Sequence, residues 1–424
     1  MIASELKNKI RDGALAKYSE LYSDLARHSE RYVRAIDSFI SLYGDTECVL
    51  LSVPGRSEIS GNHTDHNHGC VLAGAIDRDV IAVAAQNADG VIRFFSEGYP
   101  MDEVKLADTD NSDSFENYTS SALIAGMVNG FATKGYKVGG MNVYSTSEVL
   151  KGSGISSSAA YEVMIGNALN HLYNGGEIAN EEIAKLAQYA ENVYFGKPCG
   201  LMDQMACAVG GFVYIDFESK DDPEVVPIEF SLNKEGYALC IINTGGNHAD
   251  LNEDYASVPR EMKAVARELS RDVLRGVSEA ELVAKIPELR ATLGDRAILR
   301  AIHFIRENER VKMARAALTD GRVGDFFAAV NRSGASSFQY LQNVYTTQNV
   351  EEQGLSLALA LADGYLGGEG ASRVHGGGFA GTVQVFVKKE RLAGLVELMD
   401  SVFGKGAAMA FNVRPLGAIR LELN

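Results

Sequence analysis

The 424-residue chain exceeds the ~100–200 residues of one domain, so two domains are the starting expectation, and its 46% hydrophobic and 23% charged residues match a globular protein with a sizeable core. A net charge of −16 argues against nucleic-acid and anionic-membrane partners, which need clustered Lys and Arg, and no apolar run approaches the ~18 residues of a bilayer span. Five cysteines without a CxxC pair support neither a disulfide framework nor structural zinc, and the charged N-terminus lacks an apolar signal core, so a soluble, cytoplasmic protein is expected.

Residues 1–45 read as helix, with Leu6, Ile10, Ala14, Tyr18, Leu21 and Leu25 recurring at spacings of three and four. From Cys48 the pattern changes to strands: 47–55 ends in a Pro-Gly turn, 70–86 reads as one or two strands, and 91–95 alternates after the turn at 87–90. Helix is predicted near 115–134, strand at 141–147, and helices over 159–173 and 180–195. Strands follow at 210–216 and 237–243, then a mostly helical region at 258–330. A helix at 351–363, a strand at 382–389, a helix near 390–403 and a final strand near 417–423 complete the chain. Without regular βαβ alternation the fold class is α+β. The acidic, Pro-containing stretch 218–227 and the turn at 233–236 are the expected domain boundary.

Four segments concentrate chemistry. Glycine is enriched, at 43 residues, and it clusters in these segments. In Gly152-Ser153-Gly154-Ile155-Ser156-Ser157-Ser158, glycines allow close backbone approach and the serines sit where a helix begins. Unpaired N–H groups and the positive dipole end there suit a phosphate, although an ordinary Ser-capped helix fits the same residues. The turn Pro54–Gly69 crowds Arg56, Asn62, His63, Asp65, His66, Asn67 and His68 between apolar strands. It reads as a polyol site supplied with mixed donors and acceptors, or as a metal site, though it lacks a helical metal spacing. The run Gly376–Gly381 precedes a strand and marks either a crowded turn or a close approach to phosphate. In Gly196–Gln204, Asp203 lies in a turn bounded by Gly and Pro. It could act as a base if a cation supports it, or merely cap a helix.

Together and in this order, the segments resemble the galactokinase family of the GHMP kinase superfamily. Pro54-Gly55-Arg56 with Gly61-Asn62-His63-Thr64-Asp65 is similar to the family signature Pro-Gly-Arg-Val-Asn-Leu-Ile-Gly-Glu-His-Thr-Asp-Tyr-Asn. Residues 152–160 resemble its phosphate loop, 199–204 its segment with the catalytic Asp, 373–381 its third glycine motif, and 243–255 its strand-plus-loop ending in a sugar-contacting Tyr. The likeness covers residues 48–424. It implies a two-domain fold with the active site in the cleft between domains, here expected at 46–235 and 236–424 behind a helical extension at 1–45.

The resemblance further implies ATP and Mg²⁺ as cofactors and a hexose phosphorylated at its anomeric hydroxyl, with galactose the leading acceptor. Asp203 would be the base and Arg56 its cationic partner. Backbone N–H groups of Gly152, Ser153, Gly154, Ile155, Ser156, Ser157 and Ser158 would hold the ATP phosphates. Ser157 or Ser158, with Glu191, would stand near Mg²⁺, and His63, Asp65, Gly200 and Tyr255 would contact sugar. Asn62 and His66 stand where the family has Glu and Tyr, and Glu58 and Ser60 where it has Asn and Ile. Because the family Glu reaches toward the sugar C6, Asn62 would suit a C6-modified sugar such as galacturonate. A noncatalytic sugar sensor is the alternative of another class, and a monomer or weak homo-oligomer is expected.

Overall fold

The computed structural model describes residues 1–22, 24–149, 154–219, 222–246 and 251–423. The chain opens with helices α1 (Ala3–Arg11) and α2 (Leu25–Tyr43), then strands β1 (Val49–Ser60), β2 (Cys70–Gln86), β3 (Val91–Ser96) and β4 (Asp102–Lys105). Helix α3 (Ser120–Thr133), strand β5 (Met141–Ser147) and helices α4 (Ser157–Tyr173), α5 (Asn180–Tyr189) and α6 (Met202–Val209) follow. Next come β6 (Phe212–Asp216), β7 (Glu224–Ile228) and β8 (Tyr237–Asn243), and then helices α7 (Asn252–Glu268), α8 (Glu279–Thr292), α9 (Asp295–Thr319) and α10 (Val323–Ser336). The remainder is α11 (Gly354–Leu366), β9 (Ala371–His375), β10 (Thr382–Lys388), α12 (Lys389–Phe403), β11 (Ala408–Phe411) and β12 (Ile419–Arg420).

Two compact units share the chain by interleaving. The first holds residues 1–56, 75–211 and 414–424, and the second holds 57–74 and 212–413. This corrects the contiguous division expected at 235/236. The acidic stretch near 218–227 is no linker, because it contains β7, which pairs antiparallel with β6 inside the second unit. Nor do residues 1–45 form a unit of their own.

In the first unit β2 pairs antiparallel with β5 from Val80↔Ser147 to Gln86↔Met141, β5 pairs parallel with β3, and β12 borders β1. Helix α2 begins where Asp24 accepts the Arg27 N–H at 3.0 Å, a side-chain cap for an otherwise unpaired donor. Its buried stripe of Tyr32, Ala35, Ile36 and Phe39 packs with Leu6 and Ile10 of α1 against Leu50, Ile81 and Val83 of the strands. Gly13, in the left-handed region at φ 90°, separates α1 from a 3₁₀ turn at Ala14–Tyr18 that precedes α2. Beneath these helices Asp79 is fully buried. It accepts from Arg31 (2.5 Å), Ser52 (2.5 Å), Tyr22 (2.9 Å) and Arg414 (3.1 Å). Burial pushes this carboxyl up, and its two guanidinium partners then hold it far below the usual carboxylate range.

In the second unit the start of β2 pairs with β6 from Cys70↔Asp216 to Gly74↔Phe212. A separate antiparallel sheet runs β11-β8-β10-β9, with Cys240, Ile242, Val374 and Val385 meeting Leu355, Leu395 and Met399 of α11 and α12. Helices α7–α9 bury a second cluster around Met262, Leu282, Ile298 and Phe304. All five cysteines are free, and among the described residues no helix is long and apolar enough to cross a membrane.

Candidate active site

In the first unit the chemistry gathers on β1 at Gly55 and Arg56. Gly55 is required there by crowding, since a Cβ would stand 2.7 Å from the Ile155 carbonyl oxygen and 3.0 Å from Val149. That approach lets Arg56 N–H donate to Ile155 O at 3.1 Å and carries the Arg56 side chain to Asp203. Its Nε and Nη2 donate to Asp203 Oδ1 and Oδ2 at 2.6 and 2.7 Å, a bidentate pair, while Nη1 donates to Gly154 O at 2.7 Å. Ser156 Oγ also donates to Asp203.

Asp203 lies in the first turn of α6, where the helix dipole favours negative charge. Its side chain is 32% exposed, which leaves one side open to a reactant. Burial pushes the carboxyl upward, but the Arg56 guanidinium, the Ser156 hydroxyl and the Lys197 ammonium together hold it below its ordinary value. The carboxylate is thus ionised at neutral pH and able to accept a proton.

Ser156 precedes α4 at φ 61°, a left-handed conformation, and its hydroxyl goes to Asp203 instead of capping the helix. Helix α4 starts at Ser157 and Ser158, and the leading N–H groups of a helix, which have no intrahelical acceptor, suit an anion. Gly154 (φ 75°) and buried Ile155 lead into this turn. Gly152 and Ser153 lie outside the described residues.

Glu191 stands on a π-helical turn at 190–195 that continues α5, and it is 2% exposed. Ser158 Oγ donates to its Oε1 at 3.4 Å, Lys197 Nζ to the same oxygen at 2.9 Å, and Gln204 Nε2 to its Oε2 at 2.6 Å. Gln204 also donates to Glu162 Oε2 at 3.2 Å, and the other Glu162 oxygen is buried without a hydrogen-bond partner. Burial and the nearby Glu191 carboxylate push the Glu162 carboxyl well above the usual range. Ser158 and Glu191 are hard oxygen donors with a cation already drawn to them, a set that fits Mg²⁺. Lys197, Gln204 and Glu162 were not singled out from the sequence. The spacing of Ser158 and Glu162, one helical turn apart, was the available signal.

The second unit gathers Asn62, His63 and Tyr255 on the glycine loop 376–378. Asn62 Nδ2 donates to Gly376 O (2.8 Å), the His63 ring meets Gly377 O (2.8 Å), and Tyr255 Oη donates to Gly378 O (2.8 Å). Asn343 Nδ2 donates to Gly377 O (3.0 Å) and to Asn62 Oδ1 (2.6 Å). The loop's carbonyls therefore serve as a platform for neighbouring side chains, and its glycines are needed for space: a Cβ on Gly377 or Gly378 would strike Tyr255 or Asn343.

Asn62 differs from the sequence expectation. It is 1% exposed, its amide donates to Glu58 (2.9 Å) and Gly376 O, and its oxygen accepts from Asn343 and Ser337. Both donors and both acceptor positions are consumed, so it has none left for a sugar. The acid missing at 62 is present at 58, across the same hydrogen bond, and pairs with Arg373 at 3.3 Å. Under the loop, His303 bridges Asn62 O (3.0 Å) and Ser336 Oγ (2.9 Å), and Glu307 accepts the Gly61 N–H at 3.0 Å.

His63, at φ 58°, is pulled down to about 4 by burial. Asp65 opens a short 3₁₀ turn and accepts the His66 N–H at 2.9 Å. Among the described residues His63, Asp65, His66 and His68 do not converge into a group able to hold an ion. Gly200 belongs to the first unit, in the turn that precedes α6.

Two families match this chain: "GHMP kinases N terminal domain" over residues 120–211 and "Galactokinase galactose-binding signature" over 37–86. A galactokinase of Streptomyces coelicolor is 31% identical over 398 residues, which is 91% of this chain and 97% of that protein. A Clostridium tetani galactokinase is 28% identical, covering 84% of this chain and 88% of its own length. Among solved structures, Lactococcus lactis galactokinase complexed with galactose matches with a TM-score of 0.77 at 25% identity. That match covers 91% of this chain and 98% of that one.

Proposed function

The chain belongs to the galactokinase family of GHMP kinases, and from that premise we propose that it phosphorylates galactose at the anomeric hydroxyl, with ATP as donor. The observation that carries the assignment is the Asp203 carboxylate gripped by Arg56 through two hydrogen bonds and by Ser156.

Asp203 takes the proton of the attacking hydroxyl. Arg56 keeps it ionised beforehand and offsets charge that develops during transfer. Phosphoryl transfer needs chiefly positioning and charge neutralisation, and the start of α4 supplies N–H groups for the phosphates. Ser158 and Glu191 are assigned to Mg²⁺, which when bound neutralises phosphate charge. Sugar contacts are assigned to His63, Asp65, Gly200 and Tyr255. Asn62 is assigned to holding the loop that carries His63 and Asp65. The saturated bonds of Asn62 and the acid kept at Glu58 remove the reason to favour galacturonate. The intact Ser156–Ala160 sequence and the charged Asp203 favour an enzyme over a sensor, and we place it in the cytoplasm as a monomer or weak homo-oligomer.

A coupled ADP-release assay across galactose, N-acetylgalactosamine, galacturonate, glucose and arabinose tests this reading. Galactose is expected to be turned over fastest, and turnover of galacturonate without galactose would overturn the substrate assignment.

A further inference from the structure

Lys197 occupies an unusual position for a surface lysine. It follows Gly196, whose left-handed φ of 80° ends the π-helical turn, and its own N–H donates to Glu191 O at 3.2 Å. The backbone is thereby anchored on the residue that its side chain also reaches. The ammonium group lies 2.9 Å from Glu191 Oε1, the oxygen that also accepts from Ser158. Glu191 is 2% exposed, whereas the Lys197 side chain is 54% exposed. One partner is fixed and desolvated, and the other is held by a flexible four-carbon stem that can return to water.

The other carboxylate oxygen is already bonded to Gln204, whose amide is itself buried between Glu191 and Glu162. A divalent cation bound by Ser158 and Glu191 must therefore use Oε1. Two cations cannot share that oxygen at close range without strong mutual repulsion in a partly desolvated site.

We propose that Lys197 is a resident counter-ion for Glu191 that a divalent metal must displace, so that it weakens metal binding and keeps the buried carboxylate paired in the metal-free protein. This rests on the assignment of Ser158 and Glu191 to Mg²⁺. Lys197 acts through Glu191 and is a positioning residue.

Mn²⁺ alone, titrated into the full chain without nucleotide and followed by the electron paramagnetic resonance of the free ion, tests the idea independently of activity. Lys197→Met is expected to bind Mn²⁺ about two- to fivefold tighter than the parent, the range set by a half-exposed ion pair. Lys197→Arg, which keeps the charge, is expected to stay within about twofold of the parent. Glu191→Gln is expected to lose the site in either background. Unchanged or weaker Mn²⁺ binding in Lys197→Met, with the site lost in Glu191→Gln, would overturn the counter-ion role alone. Parent-like binding in Glu191→Gln would overturn the metal assignment and the counter-ion role with it.

Discussion

Arg56 and Asp203, separated by 147 positions along the chain, meet through two parallel hydrogen bonds of 2.6 and 2.7 Å. The pair fixes both the charge and the direction of the carboxylate. Asp203→Asn keeps the shape but cannot accept a proton from the sugar, and a positioned base is worth about 10²–10⁴ in rate. The expected result is a kcat lowered by that factor with ATP affinity within about twofold of the parent, measured by steady-state kinetics and nucleotide titration.

Arg56→Lys retains a charge but loses the planar fork. Burial already pushes Asp203 upward, and the guanidinium is the leading influence that brings it down. Weakening that influence raises the carboxyl pKa, so the acid limb of the kcat–pH profile should move to higher pH. An unshifted limb would detach Arg56 from control of the base.

Asn62 and Glu58 form an amide–acid couple, and either single exchange (Asn62→Glu or Glu58→Asn) breaks it. A buried partner left unsatisfied costs about 1–3 kcal/mol, read as a raised sugar KM together with a lower melting temperature. The reciprocal double exchange restores an acid facing an amide and should recover at least half of the summed loss in a double-mutant cycle. Strict additivity would show that the two residues act separately.

His303 is pulled down to about 4 by burial, while one ring nitrogen meets Asn62 O and the other Ser336 Oγ. Its folded pKa lies below the ordinary value near 6.5, so the unfolded chain binds the proton first. Stability is then full above about pH 6.5 and falls as pH drops toward 4. Urea unfolding at stepped pH should show this slope, and His303→Gln should be less stable at pH 7.5 but flatter across that window.

Arg31→Met removes one of the two guanidinium groups that neutralise buried Asp79. Breaking a buried pair from one side typically costs about 3–5 kcal/mol. A marked fall in melting temperature is expected, and the Arg31→Met, Asp79→Asn double variant should be less damaged than the two single losses summed.

The sequence made the main strands and long helices legible, because β5, β8, β10 and α4 carry unbroken apolar runs or clear periodicity. Short strands such as β7 and β11 escaped notice. With five and four residues they have too little pattern to separate from loop, and Glu224 and Pro227 of β7, with the acids before them, imitate a linker. The meeting of Arg56 with Asp203 and of Ser158 with Glu191 follows from the resemblance in motif order. Lys197 and Gln204 are not legible in this way, since both meet Glu191 on a π-helical turn that composition does not announce. The place of Asn62 in its loop is legible in the sequence, and its bonding is not. Hydrogen-bond saturation arises from residues at 58, 337, 343 and 376, and only folding brings these together.

The interleaving of the two units bears on how the polypeptide can be made. Arg414 donates to both Ser52 and Asp79, and β12 lies along β1, so the first unit is closed by segments that the ribosome delivers after the whole of the second. An emerging chain cannot finish the first unit and then begin the other. Until residue 414 is synthesised, the Asp79 carboxylate lacks one of its two cationic neighbours, which makes the late stage of translation the period of greatest exposure to chaperones and aggregation.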